Sequence, residues 1–313
     1  MNKASADIEL KSEGRAAPVD WLIFAALVAI GGSAFAFIKE AVATIPPPIV
    51  AVGRLWIGAL FLYAVMRLGG EKFPAIIERD ARGSRLAPVW SSMLWVSLIG
   101  YTIPFFIFPW AQQFVESGLA GVYMALMPLW TVGLAHFFAG ERLTGSRAAG
   151  FALGFIGVML LMGGDALSGA AGASIVAQAG LALATLCYAI SIIVSRRTAA
   201  VTPKVFACAT VLAGAVFATP ALLLADWKIA DWSAASIASV LVLGVGPTAL
   251  AGLLIIIIVQ RVGAGFMAFA NYLTPVWAVA LGAVLFHERL HWSAFLALAI
   301  VLAGVAVSRR SAR

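Results

Sequence analysis

The feature that most narrows the choice of fold is a series of apolar runs, each too long for a soluble domain and set off by short polar connections. A hydrocarbon layer about 30 Å thick takes roughly 20 apolar residues of helix to cross. Within it only helices or closed barrels satisfy every backbone N–H and C=O. Ten runs qualify, at 21–38, 48–66, 90–114, 118–138, 147–162, 175–194, 205–224, 237–259, 264–286 and 292–307. The chain is 63% hydrophobic and 11% charged, against about 45–50% apolar in an ordinary soluble domain. The expected fold is an all-α membrane protein of ten transmembrane helices. Five spans fall in 20–163 and five in 174–308, between a tail at 1–19 and a tail at 309–313. Only the connection at 67–89 is long.

A formal charge of +7 would suit a nucleic-acid partner only if the basic residues shared one exposed face, and here they sit in loops. With the N-terminus placed in the cytoplasm, 17 of the 21 basic residues fall on that side, three (Lys39, Lys228 and Arg289) on the other, and Arg54 inside a span. This is the positive-inside pattern. It predicts a multi-pass protein of the cell (inner) membrane with both termini cytoplasmic, whose partners are the lipid bilayer and a small-molecule substrate and no nucleic acid. Cys187 and Cys208 lie within spans and read as small core residues.

The chain matches itself at an offset of 147 (288 − 141). Glu141-Arg142-Leu143 falls on Glu288-Arg289-Leu290, Gly118 on Gly265, Pro128 on Pro275 and Trp130 on Trp277. A weaker echo at 156 (203 − 47) pairs Pro47 with Pro203 and Gly58 with Gly214, linking the second span to the seventh. Each copy has five spans, an odd number, so the second must enter the membrane from the opposite face. Two inverted five-helix repeats are the architecture of secondary transporters, in which similar halves exchange conformations and expose one central site to each side in turn.

Gly31-Gly32-Ser33 through Lys39, Pro46-Pro47-Pro48 and Arg54, together with Pro128 before Glu141-Arg142-Leu143 and Pro275 before Glu288-Arg289-Leu290, resemble the motifs of EamA-type members of the drug/metabolite transporter superfamily. The resemblance covers nearly the whole chain. It implies a ten-helix carrier, not an enzyme and without a cofactor, many of whose relatives export amino acids or other metabolites. One departure is Ile30, where many members carry tryptophan. The resulting expectation is alternating-access export of small organic solutes, amino acids (aromatic ones included) or related metabolites. The alternatives of the same fold are multidrug efflux and metabolite import.

A remote alternative comes from another class. His287-Glu288-Arg289-Leu290-His291 spells H-E-x-x-H, the pattern in which two histidines one helical turn apart hold zinc and the glutamate serves as base. Its repeat mate, Gly140-Glu141-Arg142-Leu143-Thr144, keeps the Glu-Arg-Leu core without either histidine, so no metal is expected. The structural roles fall to Pro128, Glu141, Arg142, Pro275, Glu288 and Arg289, with each carboxylate capping and pinning the two helices it joins. A carboxylate at a helix N-terminus contributes about 0.3–1 kcal/mol.

Candidate wall residues are polar or aromatic side chains recurring on one helical face. They are Ser33 on the first span; Tyr101 and Phe105 on the third, beside Pro104 and Pro109; and Met124 and Met127 on the fourth. Thr185 and Tyr188 follow on the sixth, Thr248 on the eighth, and Asn271, Thr274 and Trp277 on the ninth. The resemblance implies that these same helices line the central cavity. Arg54 is expected to hold neighbouring helices through carbonyls or a carboxylate such as Glu40, with substrate binding as the alternative. Gly150, Gly154 and Gly157 on the fifth span read as a close-packing face, which leaves a monomer or a weak homodimer through that face. Glu40, Glu116 and His136 lie toward span ends, so a proton is not expected to drive transport.

Overall fold

The computed structural model describes residues 17–80, 83–139, 145–167, 173–195, 201–262, 270–288 and 291–309. Glu141, Arg142 and Arg289 lie outside the described residues, as does the side chain of Asn271.

Among the described residues ten helical rods follow one another. We label them α1 (Pro18–Ala41), α2 (Pro47–Leu68), α3 (Pro88–Ala111), α4 (Ser117–Tyr123, Met124–Leu126 and Met127–Ala139), α5 (Gly145–Leu167), α6 (Ala173–Ser195), α7 (Pro203–Leu224), α8 (Ala234–Leu243, Gly244–Leu250 and Ala251–Val262), α9 (Ala270–Phe286) and α10 (Trp292–Arg309). Proline opens α1, α2, α3 and α7, a position where its missing N–H leaves no bond unmade. Thr202 and Ser233 cap α7 and α8 by accepting the N–H of Val205 and Ser236. Among the described residues, six helices (α1, α2, α3, α6, α7 and α8) are long and apolar enough to cross a membrane by length and composition. Within α5, α9 and α10 the apolar stretches are shorter, and α4 is divided by a 3-10 turn at Met124–Leu126. That turn precedes Pro128, which has no N–H to return to Met124; the N–H of Met127 bonds the Met124 carbonyl instead.

One element was not expected. Ile77–Asp80 and Gly83–Leu86 pair as an antiparallel hairpin inside the long connection before α3. Beside a helical membrane body, a loop of this length satisfies its backbone by pairing with itself.

The helices pack across the halves in a reciprocal pattern. Helix α1 lies on α8 and α9, while its repeat mate α6 lies on α3 and α4; α2 meets α7 and α8, while α7 meets α2 and α3; α4 faces α9 and α5 faces α10. Exchanging the halves leaves this list unchanged, as a two-fold axis requires. The directions are opposed. Lys39, near the end of α1, donates to the carbonyls of Gln112 at 2.8 Å and Val115 at 3.0 Å, just past α3. At the other end of α1, Asp20 pairs with Arg261 near the end of α8. The mates α3 and α8 therefore finish at opposite ends of α1, and the repeat is inverted.

Two details carry the repeat to atomic scale. The π-helical segments Ser97–Thr102 in α3 and Gly244–Leu250 in α8 begin at the same offset of 147 (244 − 97), each beside a proline, Pro104 or Pro247, that removes a ladder bond. A Cβ built on Gly58 of α2 would meet the Gly244 carbonyl oxygen at 3.0 Å and Thr248 Cγ2 at 2.7 Å. One on Gly214 of α7 would meet Tyr101 Cβ at 3.2 Å and the Ser97 carbonyl oxygen at 3.5 Å. These are matching joints with the halves exchanged.

The glycine face of α5 is filled from within the chain. A Cβ on Gly304 of α10 would meet the Gly150 carbonyl oxygen at 2.6 Å and the Gly154 nitrogen at 3.2 Å, and one on Gly157 would meet Val301 Cγ2 at 2.6 Å. Close packing is its role as expected, but α10 occupies the face through which a homodimer was considered. Large apolar side chains such as Leu22, Leu60, Leu68, Val284 and Trp292 stay exposed. In water they would be a liability, and in lipid they are the natural outer coat.

Candidate functional site

Toward the middle of the bundle the expected wall residues resolve into three groups. In the first, α9 meets α1: Trp277 donates its indole N–H to Ser33 Oγ at 3.1 Å. Gly32 allows the approach, since a Cβ there would lie 2.7 Å from Trp277 Cδ1 and 3.0 Å from the Thr274 carbonyl oxygen. Thr274 turns its hydroxyl back to the Ala270 carbonyl at 2.8 Å, a local bond that leaves its oxygen as an acceptor.

The second group is the mate of the first. Trp130 of α4 donates its indole N–H to Thr185 Oγ1 of α6 at 3.2 Å, and Thr185 in turn donates to the Ala182 carbonyl at 2.8 Å. Trp130 and Trp277 are the pair aligned at 147, and Ser33 and Thr185 stand at 152 (185 − 33). At 1.5 Å per residue, Trp277 lies about 13 Å from the end of α9 and Trp130 about 13 Å from the end of α4. Those helix ends lie at opposite ends of the bundle, so each joint is counted from a different end. Ser33, Thr185 and Trp277 were expected to line a pathway; Ser33 and Trp277 bond each other across the halves, and Thr185 bonds Trp130. Trp130 was not singled out, and the repeat alignment to Trp277 was the available signal.

The third group surrounds Arg54 of α2, which is only 5% exposed. Its Nε donates to Thr248 Oγ1 in the π segment of α8 at 3.2 Å, and its guanidinium carbon stands 4.0 Å from the centre of the Phe105 ring. Phe105 packs edge-on to Tyr101 at 5.6 Å, and Tyr188 stacks on Phe108 at 6.1 Å on the neighbouring side. This departs from the expectation for Arg54. Among the described residues neither a carbonyl nor Glu40 holds it; its partner on the neighbouring helix is the Thr248 hydroxyl, and it sits among four expected wall residues, Tyr101, Phe105, Tyr188 and Thr248. Met124 and Met127, both half-buried, lie on α4. Met124 packs on the central apolar cluster.

A polar layer closes the Lys39 end. Glu288 accepts the backbone N–H of Ser117 at 2.7 Å and of Gly118 at 2.9 Å, and the Ser117 hydroxyl at 3.0 Å. The carboxylate does cap a helix, as expected, but the helix is α4 of the other half and not one of the two it joins. Gly282 leaves it room, because a Cβ there would collide with Glu288 Oε2. A cleft of about 400 Å³ opens beside this layer, lined by Lys39, Glu40, Gln112 and Phe286 among others. The Gln112 amide is buried with neither side-chain atom bonded to protein, which suits a wetted cleft.

The zinc pattern does not assemble. His287, at φ 53°, and Glu288 follow the end of α9, and His291 precedes α10 and turns its Nδ1 toward Ser293 Oγ at 3.0 Å. The helical i, i+4 spacing that would aim both imidazoles at one ion is missing. No group of three or more metal-ligating side chains occurs among the described residues.

The family model of the EamA-like transporter family matches residues 19–163 and again residues 176–310. The chain belongs to the EamA-like transporter family. It is 28% identical over 289 residues to the uncharacterized inner membrane transporter YedA of Escherichia coli, covering 90% of this chain and 87% of that one. It is 29% identical over 203 residues to a probable terminal-alkyne amino-acid exporter of Streptantibioticus cattleyicolor, covering 64% and 67% of the two chains. A solved crystal structure superposes with a TM-score of 0.64 at 21% identity, covering 95% of this chain and 99% of the other, which establishes a shared fold. The EamA-like protein described here is thus a membrane transporter and not an enzyme, consistent with the drug/metabolite transporter superfamily.

Proposed function

We propose that the protein is a secondary carrier that moves small organic solutes, amino acids or related metabolites, outward across the inner membrane by alternating access. The observation that carries this reading is the pair of matched tryptophan–hydroxyl joints, Trp277–Ser33 and Trp130–Thr185, each spanning the two halves. Similar halves with equivalent joints can open one joint while the other stays shut. On the helices around these joints, Tyr101, Phe105, Tyr188, Met124 and Met127 would supply a soft aromatic lining suited to a partly apolar solute. The outward direction and the amino-acid class draw support from the amino-acid exporter among the relatives. The basic residues, concentrated in alternate connections, favour cytoplasmic termini. The Lys39–Glu288 end then faces outward.

Transport by this scheme needs no proton. A proton-driven carrier keeps a titratable carboxylate or imidazole deep in the membrane, and the charge deep in a span among the described residues is Arg54. Counterflow in proteoliposomes tests the proposal: vesicles preloaded with one amino acid at a time should accumulate the same labelled amino acid transiently. Failure of every amino acid and every amphipathic amine in such a screen would overturn it. An imposed pH gradient without a substrate gradient should drive no uptake; uptake under that condition would refute the uncoupled mechanism.

A further inference from the structure

Arg54 is a buried fixed charge inside the chain's second span, and its described surroundings do not neutralise it. At 1.5 Å per residue it stands about 10 Å in from the Pro47 end of α2. A charge at such depth is expensive and is normally paired with an opposite charge. Among the described residues no carboxylate reaches it. Glu71 pairs with Lys204, Asp20 with Arg261, Asp226 with Lys228, and Glu288 with the start of α4, all at helix ends. Of five guanidinium N–H donors, the one on Nε meets Thr248, and the four on the terminal nitrogens have no acceptor among the described residues. The face of the guanidinium is covered by Phe105, which leaves its outer edge, the fork that matches a carboxylate with two parallel hydrogen bonds.

The repeat supplies an internal control for the bland reading that Arg54 only pins helices. Its mate at an offset of 156 is Thr210 (210 − 54), one turn before Gly214 just as Arg54 is one turn before Gly58. Thr210 is buried, returns its hydroxyl to the Phe206 carbonyl at 2.8 Å, and lies against Tyr101, the mate of Thr248. The joint between α7 and α3 therefore packs with a threonine where the joint between α2 and α8 carries a guanidinium. Helix packing at this place does not require the charge.

We propose that Arg54 is the recognition group for a carboxylate on the transported solute, with Phe105 and Thr248 holding the guanidinium edge-on to the pathway and Tyr101 and Tyr188 flanking the solute's apolar part. This assigns the substrate class as carboxylate-bearing solutes with an apolar or aromatic body. It rests on the carrier reading for its transport consequence, but the binding it describes does not.

The test uses the purified full chain and two matched pairs, L-phenylalanine against L-phenylalaninamide and phenylacetate against phenylacetamide. Binding is read from ligand-induced shifts in melting temperature, and transport separately from counterflow. In the wild-type protein each acid is expected to bind about tenfold or more tightly than its amide, as a charge-assisted bidentate contact should give. Arg54→Gln is expected to erase that preference by weakening acid binding more than amide binding, and Arg54→Lys to restore part of it. The proposal is overturned if Arg54→Gln keeps the preference, or if the wild type shows none, the binding of neither acid included. Should Arg54→Gln fail to fold, the wild-type comparison and Arg54→Lys decide by the same criterion. Acid-selective binding without counterflow would defeat the carrier reading and leave the carboxylate site standing; counterflow with equal acid and amide affinity would do the reverse.

Discussion

Glu288 concentrates a large part of the closure of one face into a single carboxylate. It is bound to backbone 170 residues away in sequence, and Gly282 is shaped to admit it. Charge-assisted hydrogen bonds to a partly buried carboxylate contribute about 1.5–3 kcal/mol, so Glu288→Ala should lower the melting temperature measurably and Glu288→Gln less. Gly282→Ala should act in the same direction by pushing the carboxylate off Ser117. A variant with unchanged melting and unchanged access to the Lys39 end would contradict the cap. That a carboxylate mattered here was legible from Glu141 and Glu288 recurring in register. Which helix it served was not, because a cap on a helix from the other half leaves no local spacing to read. Arg54 was legible as a charge inside a span for the same reason that its partners were not. The alternatives of carbonyl, carboxylate or substrate differ only in what tertiary packing brings near.

At the scale of helices, apolar run length and proline placement located the ten rods, six of which, among the described residues, are long and apolar enough to cross a membrane, and several rods extend the expected bounds by a few residues of amphipathic end such as Pro18–Asp20 and Pro88–Val89. The π segments of α3 and α8 were less legible. Pro104 and Pro247 announce a broken ladder, but a broken ladder is equally compatible with a kink. The hairpin at Ile77–Leu86 lacks a clean alternation and was missed. The contact of α5 with α10 depends on glycine on both sides. Gly304→Leu should destabilise the protein by about 1–3 kcal/mol through forced separation of the two backbones. Loss of no stability, read from thermal unfolding in detergent, would mean that α5 and α10 do not meet as described.

For the whole molecule, the central claim is that equivalent joints between the two halves let one site face either side in turn. Removing one indole N–H withdraws a hydrogen bond worth about 0.5–1.5 kcal/mol, a shift of roughly two- to tenfold in the balance between the two faces. Trp277→Phe should therefore favour opening toward the Lys39 end and Trp130→Phe toward the opposite end. Equal effects of both substitutions on both faces would argue against paired gates. The most direct measurement places a single cysteine at Met124 in a background with Cys187 and Cys208 changed to alanine, and labels it with a membrane-impermeant maleimide from each side in right-side-out and inverted vesicles. The account predicts labelling from either side, slowed from both by a transported solute, and biased in opposite directions by the two tryptophan substitutions. Labelling from one side only, in a protein that still transports, would contradict it.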